Sequence, residues 1–296
     1  MAAQPDAPHL VLGEALFDVF PDGQRVLGGA PFNVAWNLHQ FGEPVLFVGG
    51  IGDDPEGAGI RERMQAIGMD PRGLYVHPAA PTGRVTVELE AGEPRYSILP
   101  DQAYDDVPAY WADQLPQTTP LLYHGTLALR SGNRDLLERL QPRAGRRFVD
   151  VNLRAPWFGA ADVHELIRGA DVVKLNRDEL EILVPGRAER DRAAALLESA
   201  ALREALVVTA GAEGAAIHPA SGDSLFSAAP QVADLRDTVG AGDAFASVVI
   251  LGLHRGWAWP DILRRALTFA ARVCTLQGAT TTDRGFYRAA GADWPD

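Results

Sequence analysis

"RRFVDVNLRAPWFGAADVHELIRGADVVKLN", residues 146–176, sets two short apolar runs around an amphipathic one. RRFVDVN (146–152) reads as a buried strand, DVHELIRG (162–169) as a helix and DVVKLN (171–176) as a second strand. The same rhythm runs in both directions. Upstream, PLLYHGT (120–126) is a strand and NRDLLERL (133–140) a helix; downstream, two helical stretches lead to EALVVTAG (204–211), another strand. Nearer the start, HLVLG (9–13) and PVLFVGGIG (44–52) are strands, and GAGIRERMQAIG (57–68) is a helix with Ile60, Met64 and Ile67 on one face. Strands alternating with helices imply an α/β fold whose mostly parallel sheet is covered on both faces.

Two segments break the alternation. EALFDVFPDGQRVLGG (14–29) reads as strand, Pro-Asp-Gly turn, strand, and TGRVTVELEAGEPRYSIL (82–99) alternates Val85, Val87 and Leu89 before a turn at Ala91-Gly92. Hairpins inside an α/β chain suggest a small projecting sheet, either a lid over a site or a contact between copies. The expected division is a core of residues 1–13, 29–81 and 101–296, with a β lid of 14–28 and 82–100.

The 296 residues are 47% hydrophobic and 22% charged, ordinary globular values that exclude wholesale disorder. A formal net charge of −12 argues against nucleic-acid or anionic-membrane surfaces, which need basic stripes. The single cysteine, Cys274, excludes an internal disulfide framework and fits a reducing compartment. A helix over 261–277 would align Leu263, Leu267, Ala270 and Cys274 on one stripe, so core packing is the expected role of the thiol. The amino terminus lacks the basic and apolar regions of a signal peptide, and no window has membrane-spanning length without charge. The expected location is the cytoplasm.

Motifs narrow the chemistry. No G-x-x-x-x-G-K-[ST] or G-x-G-x-x-G is present, nor H-E-x-x-H, nor G-x-S-x-G. What remains is DTVGAGDAF (237–245), a glycine turn opening a helix with Phe245, Val248, Val249 and Leu253 at helical spacing. Gly240 and Gly242 permit a tight turn with amides converging, and the helix adds its positive dipole end. That makes an anion hole without a lysine. Asp243, in the first helical turn, is a poor phosphate ligand and a suitable base for a hydroxyl. On the residues alone, a carboxylate that supports the helix is the commoner role for such an Asp. GGAPFNVAWNL (28–38) is a second glycine turn leading into a helix, with Asn33 in its first turn and Asp18 on the hairpin before it. Carboxylates and amides bind vicinal hydroxyls by paired hydrogen bonds, while the plainer roles are a cap and a solvated strand position.

Together, GGAPFNVA and DTVGAGDAF resemble the paired signatures of the ribokinase-like (PfkB) carbohydrate kinases, nearly end to end and in order. The resemblance implies a Rossmann-like α/β/α sandwich with a small β lid, transferring the ATP γ-phosphate to a sugar hydroxyl. It makes Asp243 the catalytic base, with Gly240, Ala241 and Gly242 as its anion hole. Asp18, Gly28, Gly29 and Asn33 fall on sugar-binding positions. KLNRDEL (174–180) matches the N-x-x-E pattern, so Asn176 and Glu179 would organise Mg²⁺ and its waters; read without the family, they are a helix start and an ordinary solvated Glu. VVTAGAEGA (207–215) implicates Thr209, Gly211 and Gly214 beside the nucleotide. QGAT (277–280) brings in Gly278 near the adenine, with K⁺ between that turn and the Asp237–Val239 loop.

GEALFD (13–18), GGAPFNVA and DVNLRAPW (150–157) look most like the fructokinase branch. Ala30 stands where phosphosugar-specific relatives place a lysine, which disfavours fructose 6-phosphate. D-Fructose is therefore the expected substrate. The competitors are 2-keto-3-deoxygluconate, whose carboxylate Arg84, Arg95 or Arg154 would meet, though exposed strand charge is the commoner fate of Arg84 and Arg95, then ribose and nucleosides. Fructokinases use Arg154 near the phosphoryl site. Phe17, Phe32, Tyr104 and Trp157 are candidate pocket walls or core residues. A catalytically silent sugar-binding relative is the reading from another class, and a homodimer through the lid is the expected assembly if there is one.

Overall fold

The computed structural model describes residues 7–90, 93–186 and 188–295, so the Ala91-Gly92 turn lies outside the described residues. The main sheet is built from β1 (His9–Leu12), β4 (Val45–Gly52), β5 (Leu74–His77), β8 (Leu122–His124), β9 (Arg147–Asp150), β10 (Val172–Asn176), β11 (Ala205–Thr209), β12 (Ala215–Pro219) and β13 (Leu225–Ser227). Its spatial order is β13-β12-β11-β10-β9-β8-β1-β4-β5. From β11 to β5 every pair is parallel, while β12 and β13 add an antiparallel edge. That edge and β5 are absent from the sequence reading above.

Burial on both faces follows from side-chain alternation along each strand. Val11, Phe47, Val172 and Val207 point into one apolar cluster. Their neighbours Leu10, Leu12, Leu46 and Val48 point into a second on the opposite face, and Val173, Leu206 and Val208 into a third. The first face is covered by α1 (Ala30–Gln40), α2 (Pro55–Ile67), α7 (Ala241–His254), α8 (Trp259–Val273) and α9 (Arg284–Ala290). The other is covered by α3 (Arg134–Leu140), α4 (Ala160–Ile167), α5 (Arg177–Leu183) and α6 (Glu189–Ser199). As the helical spacing predicts, Ile60, Met64 and Ile67 face the core from α2. Cys274 caps the end of α8 and is buried. Among the described residues no helix is long and apolar enough to cross a membrane.

Four strands form a separate small sheet: β2 (Leu16–Val19), β3 (Arg25–Gly28), β6 (Gly83–Glu90) and β7 (Glu93–Ile98), in the order β3-β2-β6-β7. The two hairpins of the sequence join through parallel pairing of β2 with β6, where Asp18 sits opposite Val85. A satellite cluster of Leu16, Val85, Tyr104, Leu127 and Ala128 fastens this sheet to the main body. Beside it Arg130 stacks on Trp157 at 4.4 Å and pairs with Asp105 at 2.6 Å.

After β1 the chain turns to β4 and β5 on one side, and later strands from β8 onward extend the other side. A reversal of strand order opens a crevice at the carboxyl ends of the flanking strands, where ligands of such sheets bind.

Candidate active site

A cleft of about 800 Å³ occupies that crevice. Its floor comes from residues just beyond the parallel strands: Glu14 after β1, Gly125–Leu127 after β8, Val151–Ala155 after β9, and Asn176 at the end of β10. Its roof is the small sheet, through Asp18, Val26, Leu27, Val85 and Ile98. Two helix starts close it, with Gly29, Ala30 and Asn33 of α1 and Gly240, Gly242 and Asp243 of α7.

The start of α7 explains the missing lysine. Gly240 takes φ 79°, and an added Cβ would lie 2.3 Å from Ala279 Cβ, so only glycine fits against the QGAT turn. Among the described residues no side chain caps this helix. The Ala241 amide reaches back to the Thr238 carbonyl at 3.2 Å, whereas the Gly242 and Asp243 amides have no partner among the described residues. Of the Gly240–Ala241–Gly242 set expected from sequence, the Ala241 amide is taken, while the Gly240 amide, like those of Gly242 and Asp243, has no partner among the described residues. The Gly29 start of α1 also lacks a side-chain cap.

Asn33 Nδ2 donates to Asp243 Oδ2 at 2.8 Å across 210 residues of chain. This joins the two signatures directly: the amide assigned to sugar also orients the carboxylate assigned as base. Burial raises the Asp243 carboxyl to about 6; the Asn33 hydrogen bond and the charges of Lys174 and Arg154 pull the other way, while Asp150 adds to the rise. A base titrating near 6 is deprotonated at neutral pH yet basic enough to receive a hydroxyl proton.

The cation comes from elsewhere in the fold. Lys174, on β10, is buried, and its Nζ lies 3.6 Å from where a Cβ on Gly242 would stand. It donates to Asp150 Oδ1 at 2.7 Å, and Tyr123 Oη donates to Asp150 Oδ2 at 3.1 Å. Burial alone would depress the Lys174 ammonium, but the Asp150 charge and hydrogen bond hold it above the ordinary lysine range. A charged lysine thus reaches the helix start from an adjoining strand. Glu14, 3% exposed and with Oε2 unpartnered, is pushed up to about 8 by burial, reinforced by Asp243 and opposed by its local amides and Arg154. It lies on the cleft floor, and its raised pKa favours the uncharged form there. The sequence reading passes over Glu14, Asp150 and Lys174 because each sits in a strand or strand end that pattern alone labels core. A buried charge within VVK is the one signal that was there to use.

Of the other expected residues, Asp18, Gly28, Gly29, Arg154, Asn176, Glu179 and Thr209 line the cleft. Ala241, Gly211, Gly214, Gly278 and Asp237 do not. Burial raises the Asp18 carboxyl to about 6. Glu179 is not a solvated helix residue: it is 6% exposed, accepting the Asn176 amide at 2.8 Å and the Leu153 amide at 2.9 Å. Asn176 Oδ1 accepts the Glu179 amide in return, completing a capping box. Asp237 accepts from the Val239 amide at 3.0 Å and the Gly278 amide at 3.1 Å, tying its loop to the QGAT turn. At Gly214 an added Cβ would meet the Ser227 carbonyl at 2.1 Å, which is a packing constraint between β12 and β13.

Two alternatives left open by the sequence are narrowed. Arg84 is outside the cleft and bonded to Glu56 at 2.8 Å, together with Arg25, so it is not a free cation for an acidic sugar. The Arg95 side chain lies outside the described residues. Phe17, Phe32 and Tyr104 are core side chains, and Trp157 packs on the satellite cluster; the apolar walls are instead Leu16, Val26, Leu27, Val85, Ile98 and Leu127.

Comparison with known proteins places this geometry in context. Residues 18–284 match the family model described as "pfkB family carbohydrate kinase". A fructokinase of Klebsiella pneumoniae is 30% identical over 291 residues, covering 93% of each chain. An aminoimidazole riboside kinase of Salmonella typhimurium is 29% identical, covering 92% of this chain and 90% of its own. A fructokinase from Vibrio cholerae O395, solved with fructose, ADP and calcium ion, superposes with a TM-score of 0.80 at 24% identity over 96% of this chain and 99% of its own, and shares the fold.

Proposed function

The chain belongs to the pfkB family of carbohydrate kinases and is a sugar phosphotransferase; from that premise we propose that it phosphorylates D-fructose with ATP, using Asp243 as the base. The observation that carries this reading is the 2.8 Å hydrogen bond from Asn33 to Asp243 at the mouth of the open α7 amides.

Asp18, the Gly28–Gly29 turn and Asn33 bind the sugar hydroxyls beneath the small sheet, which acts as a lid. Asp243 accepts the proton of the attacking hydroxyl. The sugar oxygen forms a bond to the γ-phosphorus as the bridge to the β-phosphate breaks, and ADP departs. The Gly242 and Asp243 amides, with Lys174 behind them, stabilise charge on the moving phosphoryl group; such preorganised donors are worth about 3–4 kcal/mol each in comparable sites. Arg154 reaches the same group from the cleft wall. Glu14, neutral, donates a hydrogen bond from the floor.

The donor set suits a hard cation. Glu179 and Asn176 offer oxygens at the nucleotide side, and because both Glu179 oxygens already accept amides, Glu179 would hold Mg²⁺ through water. When bound, Mg²⁺ neutralises phosphate oxygens. Thr209, Gly211, Gly214 and Gly278 would flank the nucleotide, and K⁺ would lie between the Asp237–Val239 loop and the Gly278 turn that Asp237 already joins.

Likeness to the Klebsiella fructokinase favours fructose, and the nearly equal likeness to the Salmonella enzyme supports aminoimidazole riboside as the second reading. The pairing of Arg84 with Glu56 weighs against 2-keto-3-deoxygluconate. A coupled ADP-release assay with Mg·ATP, with and without K⁺, tests this across fructose, aminoimidazole riboside, 2-keto-3-deoxygluconate, ribose, adenosine and fructose 6-phosphate. Highest kcat/KM on fructose is expected. Preference for the riboside would replace the substrate, and silence on all would replace catalysis with binding alone.

A further inference from the structure

At the opposite end of the central strands from the cleft, three side chains converge. His9 opens β1, Glu43 lies in the turn between α1 and β4, and His254 ends α7. One potential ligand atom from each lies within 4.8 Å of the others. Glu43 Oε2 stands 3.7 Å from His9 Nε2 and 3.6 Å from His254 Nε2. Both separations exceed the roughly 2.7–3.2 Å of a hydrogen bond. They are close to the ~3.4 Å edge of a tetrahedron whose bonds are about 2.0–2.1 Å, the range for zinc with imidazole and carboxylate.

We propose that His9, Glu43 and His254 form a structural site for a zinc-class divalent ion, with water as the fourth ligand. Three features support it beyond the spacing. His9 is 1% exposed, yet neither ring nitrogen has a hydrogen-bond partner among the described residues. A buried polar group left so is costly, and a cation on Nε2 removes one of the two deficits. Glu43 is already oriented: Arg255 donates to Oε1 from Nη2 at 3.1 Å and Nε at 3.3 Å, leaving Oε2 to face the histidines. Hydrogen bonds of this kind from outside a site hold ligating carboxylates in place. The site also lies at the carboxyl end of α7, where the helix dipole favours positive charge.

The Arg255 guanidinium selects among ions. Its positive charge disfavours a purely electrostatic cation, and two imidazoles disfavour Mg²⁺ and Ca²⁺, which take oxygen ligands. Zn²⁺, Co²⁺ and Ni²⁺ bind imidazole strongly enough to sit there. His254, partly exposed, gives access from solvent. The ion would bind β1, the α1–β4 turn and α7 together, clamping the far end of the helix that presents Asp243.

The test uses chelator-stripped, full-length protein without nucleotide. Zn²⁺ binding is measured by equilibrium dialysis and site geometry by visible absorption of added Co²⁺, in the wild type and in Glu43→Gln, His254→Gln and Asp243→Asn. The expected result is one equivalent of ion with a four-coordinate Co²⁺ spectrum in the wild type and Asp243→Asn. His254→Gln and Glu43→Gln should bind about 100-fold more weakly or worse. Zn²⁺ should also raise the unfolding midpoint of the wild type but not of His254→Gln, whose folding is checked by circular dichroism. No binding by the wild type, equal binding by a folded His254→Gln, or loss of binding in Asp243→Asn would each overturn the site.

Discussion

A single carboxylate carries the proposed chemistry, and the residues around it set when it can act. Asp243 is raised to about 6 by burial, against the lowering effect of its hydrogen bond from Asn33. Removing that bond in Asn33→Ala should therefore raise the Asp243 pKa further. The acid limb of the kcat/KM–pH profile should move upward from about 6, because a base must be deprotonated to work. A limb that stays put would mean that the group being titrated is not Asp243. That Asp243, Asn33 and Asp18 would meet at one cleft was expected from the resemblance of the two glycine-turn motifs to the family signatures, and all three line it. Lys174, Asp150 and Glu14 were not expected there, since their function depends on which strand ends the topology brings together. Asn33 was expected at the cleft but not as the partner of Asp243, 210 residues away.

The elements divide in the same manner. The parallel strands and their helices follow from local apolar runs, and their positions match the reading to within a few residues: helix 162–169 is found at Ala160–Ile167, and strand 120–126 shortens to Leu122–His124. β12 and β13 escaped because an antiparallel edge has no crossover helix to announce it, and β5, Leu74–His77, was not read as a strand. The union of two hairpins into one sheet rests on parallel pairing of β2 and β6, a non-local contact. The start of α7 makes its own prediction. Gly240→Ala meets both a positive φ and a 2.3 Å approach to Ala279, whereas Gly68→Ala, at the end of α2, meets positive φ in open space. Urea unfolding should place Gly68→Ala about 1–2 kcal/mol below the wild type, and Gly240→Ala lower still, with turnover lost as well. Equal stability costs with turnover intact in both would mean that the α7 turn does not depend on its contact with the QGAT turn.

Across the molecule, the cleft floor carries a stability cost that pH should reveal. Glu14 is raised from 4.5 to about 8, so between those values the native state holds a proton that the unfolded chain has released. Its contribution is fully present below about 4.5 and is lost as pH rises through about 8. Asp18 and Asp243 act in the same direction up to about 6, while Glu43 and Asp54, both lowered, act oppositely. Glu14→Gln isolates one group from these. The stability of the wild type minus that of the variant should fall as pH rises through that window, and a flat difference would mean that Glu14 is ionised in the folded protein. A protein that keeps a carboxyl neutral and a lysine buried beside its cleft fits a site built for charge that arrives only with the nucleotide. The decisive measurement is steady-state turnover of Asp243→Asn with Mg·ATP and the preferred sugar, alongside sugar and nucleotide binding. The variant should bind both ligands nearly as the wild type does while kcat falls by roughly 10²–10⁴, the range for loss of a general base; a kcat within about tenfold of the wild type would contradict the role given to Asp243.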